Sequence, residues 1–122
     1  MKTLKITTDN KISIIDVDFS DYRALKRAVG GYVETVHTRN LYDYFKAPVM
    51  MLVDEAGWIR NRPANMVASY FYGVFQHNQQ IAGDVIFALS LGEDMIGLGD
   101  RDSEQWLEKM LEDFKILERK GV

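Results

Sequence analysis

Three short stretches of this chain set glycine against a carboxylate: Val29-Gly30-Gly31-Tyr32-Val33-Glu34, Val53-Asp54-Glu55-Ala56-Gly57 and Ile81-Ala82-Gly83-Asp84-Val85. Glycine permits positive φ and close approach of other groups, while a carboxylate supplies hydrogen-bond acceptors. Such a combination builds either a small pocket or three ordinary turns. Near them lies Arg60-Asn61-Arg62, beside Trp58. Two guanidiniums of this kind can clamp a phosphate or carboxylate. The residues singled out as ligand-binding are Gly31, Tyr32, Glu34, Asp54, Glu55, Arg60, Asn61 and Asn65.

Other chemistries find less to work with. There are no cysteines, which excludes disulfides, thiolate metal sites and a cysteine nucleophile. His37 and His77 have no short spacing that suggests a pair, and each reads as a solvated surface histidine. The acidic pairs Asp54-Glu55, Glu93-Asp94, Asp100/Asp102 and Asp16/Asp18 do not match the ligand spacing of a calcium loop. General acid–base work by two carboxylates depends on their separation in space, so it stays open. Gly30-Gly31 lacks the lysine–serine ending of a phosphate loop and leaves a helix instead of entering one. The reading therefore assigns no catalytic residue, no metal ligand and no cofactor. Many aromatics, among them Tyr42, Tyr44, Phe45, Trp58, Tyr70, Phe71, Tyr72 and Phe75, are able to stack on a base, and most read as core.

The elements that must position these residues are short. Leu4 and Ile6, then Ile12 and Ile14, alternate with polar residues around Asp9-Asn10, which predicts a β-hairpin over 3–8 and 11–17. Ser20 is the expected N-cap of a helix carrying Tyr22, Leu25, Ala28 and Val29 on one face, with Gly30 stopping it at positive φ. Tyr32–Val36 reads as a strand, 40–46 as either a helical turn or an aromatic loop, and Val49–Val53 as a central strand. Asp54–Gly57 is expected to turn into a returning strand that begins at Trp58-Ile59. Pro63 is expected to open a helix that Gly73 ends, followed by a polar connector over 76–80 and a buried strand from Asp84 to Leu89. Residues 92–102 read as an exposed loop. A final helix, capped by Asp102 or Ser103, carries the apolar stripe Trp106, Leu107, Met110, Leu111, Phe114 and Leu117.

The 122 residues, 47% apolar and 27% charged, suit one soluble α+β domain. The expected architecture is a mixed, mainly antiparallel sheet of about five strands with packed helices and a C-terminal amphipathic helix. Residues 1–98 form the domain in this reading. Residues 99–122 are a helical extension packing on it or on a second subunit. A formal charge of −3 with scattered basic residues argues against general binding of nucleic acid or anionic lipid. No apolar run approaches the roughly 20 residues that cross a bilayer, and no signal core opens the chain, so the expected location is the cytoplasm.

At the three glycine–carboxylate stretches, together with Asn61 and Asn65–Ala68, the chain resembles a small-domain family of uncharacterised function. That family is carried widely by phages, plasmids and integrated elements of Gram-positive bacteria and actinobacteria. The resemblance covers roughly residues 3 to 98, with the last helix outside it. Asp54 stands where the family usually has an amide. The resemblance implies a mobile-element accessory protein and supplies no reaction. The expected function is non-enzymatic: binding of a small anionic molecule or a host protein, as in blunting host defence. One alternative is a small enzyme acting on a nucleotide-like substrate through paired carboxylates. The other is a structural or regulatory interaction module. The terminal stripe points to a homodimer, with Trp106 or Phe114 touching the partner.

Overall fold

The computed structural model describes residues 1–73 and 79–121. His77 and Phe75, and most of the expected polar connector, lie outside the described residues. Along the chain run β1 (Lys2–Ile6), β2 (Lys11–Asp16), α1 (Tyr22–Val29), β3 (Val33–Val36), α2 (Arg39–Phe45), β4 (Val49–Asp54), α3 (Met66–Tyr72), β5 (Val85–Leu91), β6 (Asp94–Ile96), α4 (Asp100–Asp113) and β7 (Glu118–Arg119). The fold is α+β, as expected, with seven strands in the sheet where about five were predicted.

The strands lie in the order β3-β4-β5-β1-β2-β7, and β6 pairs with β5 beyond the start of β1. All the pairings are antiparallel except the short β2–β7 contact. β4 and β5 form the centre. Every residue of β4 is buried because both faces of the sheet are covered there. Met50, Leu52, Ile86 and Ala88 point to one face and meet Leu25 and Val29 of α1. Val49, Met51, Val53, Val85 and Phe87 point to the other, under α2, α3 and α4.

The local signals hold in several places. Gly30 (φ 89°) ends α1 and Gly73 (φ 89°) ends α3. The 40–46 region is a helix, capped by Thr38, whose hydroxyl accepts from the Leu41 amide at 3.2 Å. Other expectations are corrected. Asp21, not Ser20, caps α1, and Ser20 instead donates its hydroxyl and amide to Asp18. Trp58-Ile59 does not begin a strand: the backbone from Glu55 to Asn61 is a succession of turns. Pro63 does not open α3, which starts at Met66 behind the Asn65 cap. The supposed loop over 92–102 contains β6 and the first residues of α4.

The stripe expected on the last helix closes the core of its own chain, but α4 begins behind Gly99, not Asp102 or Ser103, and ends at Asp113, so Phe114 and Leu117 follow it. Leu107 and Met110 are fully buried. The Trp106 ring lies 4.6 Å from that of Phe45, and Phe114 lies 5.5 Å from Phe71. Tyr44, which donates to Asp113 at 2.7 Å, touches both. Chiefly through burial, and then through this bond, its phenol is pushed well above the ordinary value.

Candidate functional site

At its end β4 changes from apolar residues to Asp54, whose side chain is completely enclosed. One carboxylate oxygen accepts from the amide of Ala56 at 2.9 Å, a local turn of the kind aspartate favours. The other accepts from Arg60 at 2.7 Å and from Arg62 at 3.0 Å. The chain from Glu55 to Asn61 folds back tightly to make this possible, with Asn61 at φ 57°. The same guanidiniums reach on to the end of α1. Arg60 donates to the Gly30 carbonyl and Arg62 to the Val29 carbonyl, both at 2.9 Å. Cations at a helix C-terminus meet its negative end and its unpaired carbonyls. Arg62 also faces Asp84 at 3.7 Å, which in turn faces Lys5 at 3.9 Å.

Gly31 is part of this knot. A Cβ built there would stand 2.5 Å from Asp54 Oδ1 and 2.6 Å from Arg60 Nη1. The close approach expected of this glycine is thus to an internal ion pair. Asn65 is likewise built in. It is fully buried, and its Nδ2 donates to the carbonyls of Ile6 and Gly83 at 3.0 Å each, while its Oδ1 accepts from the Ala68 amide at 3.2 Å. One side chain thereby ties the end of β1, the turn before β5 and the start of α3.

The sheet separates the other residues of interest. In the β3–β4 register Glu34 lies opposite Val53 and Val33 opposite Asp54. Alternation then sends Glu34 and Val36 to the α2–α3 side and Val33 and the Asp54 carboxylate to the α1 side. Tyr32 is exposed near α1, with the Lys26 ammonium 4.1 Å from its ring centroid. Asn61 is exposed on its turn.

On the α2–α3 side, at the β3 edge, is a concavity of about 130 Å³. Glu34, Val36, Val53, Glu55, Trp58 and Tyr72 line it, with Asp54 at its margin and the 79–82 segment as a wall. The wall is held against the 54–58 turn. The Trp58 indole donates to the Gln80 carbonyl, and a Cβ on Gly57 would fall 2.2 Å from the Ala82 carbonyl. Glu34 and Glu55 are exposed, and neither has an ion-pair partner among the described residues. Of the eight predicted residues, then, Glu34, Glu55 and Asp54 border one concavity, Gly31, Asp54 and Arg60 form one charge knot, and Tyr32, Asn61 and Asn65 stand apart from both.

Trp58 and Tyr72 are the aromatic lining residues that the predicted set omitted. Trp58 was visible as the aromatic next to the arginine pair. Arg62 and Asp84, the omitted members of the knot, lie in stretches already marked by Arg60-Asn61-Arg62 and Gly83-Asp84. A second, broader hollow lies around Phe19 and Met95, rimmed by Asp16, Asp18, Glu93 and Asp94. The amino terminus holds Asp16, and Ser20 holds Asp18, below the ordinary carboxylate range. Among the described residues no group of three or more histidine or acidic side chains is placed to hold a metal.

These features define an α+β domain with a charge knot on one face and an acidic, aromatic-lined concavity at the sheet edge on the other. The chain belongs to the family described as a domain of unknown function (DUF3846), whose model matches residues 1–112. The matched stretch runs past residue 98 and takes in nearly all of α4. No curated protein and no solved structure matches the chain.

Proposed function

We propose that the chain is a non-enzymatic binding protein that receives a cationic group of a partner protein in the concavity bordered by Glu34 and Glu55. The observation that carries this reading is the division of charge across the sheet. Both arginines of the anticipated anion clamp are engaged by Asp54 and the α1 carbonyls, whereas the two glutamates at the concavity are exposed and without ion-pair partners among the described residues. Of the two ligands considered from sequence, an anionic molecule would have to displace Asp54 from a fully enclosed position. A protein's lysine or arginine would meet acidic groups already facing outward, its stem lying along Trp58 and Tyr72.

The same division disfavours the paired-carboxylate enzyme. Asp54 is filled by three donors while Glu55 is exposed, an arrangement that speaks against the two as an acid–base couple. The setting in a phage or mobile element rests on the family resemblance, and a host protein is the partner it favours. No helix among the described residues is long and apolar enough to cross a membrane.

Calorimetric titration of the full chain with Nα-acetyl-lysine amide and, separately, with inorganic phosphate tests the reading. The expected result is saturable binding of the lysine amide near the millimolar range, about −4 kcal/mol. The double variant Glu34→Gln/Glu55→Gln loses it, and phosphate does not bind. Binding of phosphate alone would restore the anion reading, and binding of neither would end this one.

A further inference from the structure

Resting on that reading, we infer that the partner docks as an extended strand along the outer edge of β3, placing a lysine or arginine opposite Glu34. The backbone supplies the first argument. β3 is the terminal strand of the sheet, and no strand among the described residues pairs with its outer side. The Glu55 amide donates to the Tyr32 carbonyl at 2.8 Å, so Tyr32 and Glu55 form a hydrogen-bonded antiparallel pair. By alternation, Glu34 and Val36 also direct their backbone groups inward to β4, while Val33 and Thr35 direct theirs outward. The outward Val33 amide is already occupied, donating to the Tyr22 hydroxyl at 3.1 Å. The Val33 carbonyl and both backbone groups of Thr35 are presented to a newcomer. That is the pattern an added strand uses.

The side chains supply the second argument, and they choose the occupant. On an antiparallel newcomer, the residue opposite Thr35 would exchange two hydrogen bonds with it and point to the α1 side. Its neighbours, opposite Glu34 and Val36, would point to the concavity, with Cβ atoms about 4.5–5.5 Å from theirs. The neighbour opposite Glu34 thus enters the acidic, aromatic-lined space, where a cation is complementary; the one opposite Val36 meets apolar surface. A second copy of this chain fits poorly, because it would bring its own Glu34 and Glu55 to the same surface. An edge glutamate is a common device against self-pairing. Here it also selects for a basic strand from another protein.

Blocked hexapeptides test this against the full chain by calorimetry. The reference is acetyl-Thr-Val-Thr-Lys-Thr-Val-amide, in which valine, threonine and lysine fall opposite Val36, Thr35 and Glu34. The expected affinity is at least tenfold above that of Nα-acetyl-lysine amide. N-methylation of the threonine preceding lysine removes the amide that Thr35 would accept and should weaken binding tenfold or more. N-methylation of the lysine itself, whose amide points away, should change binding less than twofold. Replacing lysine by norleucine, or Glu34 by Gln in the exposed protein position, should each cost about tenfold. If both methylated peptides bind like the reference, strand addition is overturned while lysine-amide binding still upholds the concavity. If the norleucine peptide binds as well as the lysine peptide, the choice of a basic partner is overturned.

Discussion

Removal of the Asp54 carboxylate separates a structural role for the charge knot from a ligand-binding one. In Asp54→Ala three hydrogen bonds disappear, two of them from guanidiniums. The donors left behind fare differently. Arg60, whose side chain is 50% exposed, keeps the Gly30 carbonyl and turns to water. Arg62, only 19% exposed, keeps the Val29 carbonyl and a distant Asp84. Breaking a buried ion pair from one side costs about 3–5 kcal/mol. The exposure of Arg60 places the expected loss at the low end, about 3 kcal/mol. Arg60→Ala, on the exposed side, should cost about 1 kcal/mol. In double-mutant cycles by urea denaturation, Asp54 should couple more strongly to Arg62 than to Arg60. A loss below about 1 kcal/mol for Asp54→Ala, or the reverse order of coupling, would refute the assignment of this cluster to the fold.

Other outcomes follow from the same geometry. Gly31→Ala forces a methyl group against Asp54 and Arg60 and should cost about 1–3 kcal/mol in urea denaturation, without changing lysine-amide affinity. Trp106→Ala empties part of the ring cluster with Phe45 and Tyr44; since Trp106 is only partly buried, about 2–3 kcal/mol is expected, at the low end for a large aromatic, with the sedimentation coefficient of the full chain unchanged. Asp113 is held below the ordinary carboxylate range first by the Tyr44 hydroxyl and then by Lys109. A depressed folded pKa stabilises above the unfolded value, about 3.9, and is lost as pH falls through the folded one. Asp113→Asn should therefore flatten the acid limb of the stability profile below about pH 4 and leave its shape near neutrality unaltered.

Much of the fold was legible because its signals are local. The β1–β2 hairpin follows from alternation around Asp9-Asn10, β4 from its unbroken apolar run, and the ends of α1 and α3 from glycines with positive φ. Trp58-Ile59 looked like a strand because aromatic and branched residues favour one. The distant pull of Asp54 on Arg60 and Arg62 decided otherwise, and that is a tertiary fact. β6 was hidden by its three-residue length inside an acidic, glycine-rich stretch. Gly31, Asp54 and Arg60 do lie together, yet Arg60 also reaches the Gly30 carbonyl at the end of α1, a backbone partner that no side-chain pattern announces. Glu34 was grouped with Arg60 although the sheet lies between them. Only the register, Glu34 against Val53, decides that side.

The most direct measurement is an amide and indole chemical-shift map of the full, ¹⁵N-labelled chain during titration with the lysine hexapeptide. The largest shifts are expected at Glu34, Thr35, Val36 and Glu55 and at the Trp58 indole, with Val29–Gly31, Arg60 and Arg62 little moved. Shifts centred on Val29–Gly31 and the two arginines, with β3 unmoved, would contradict the proposed binding mode.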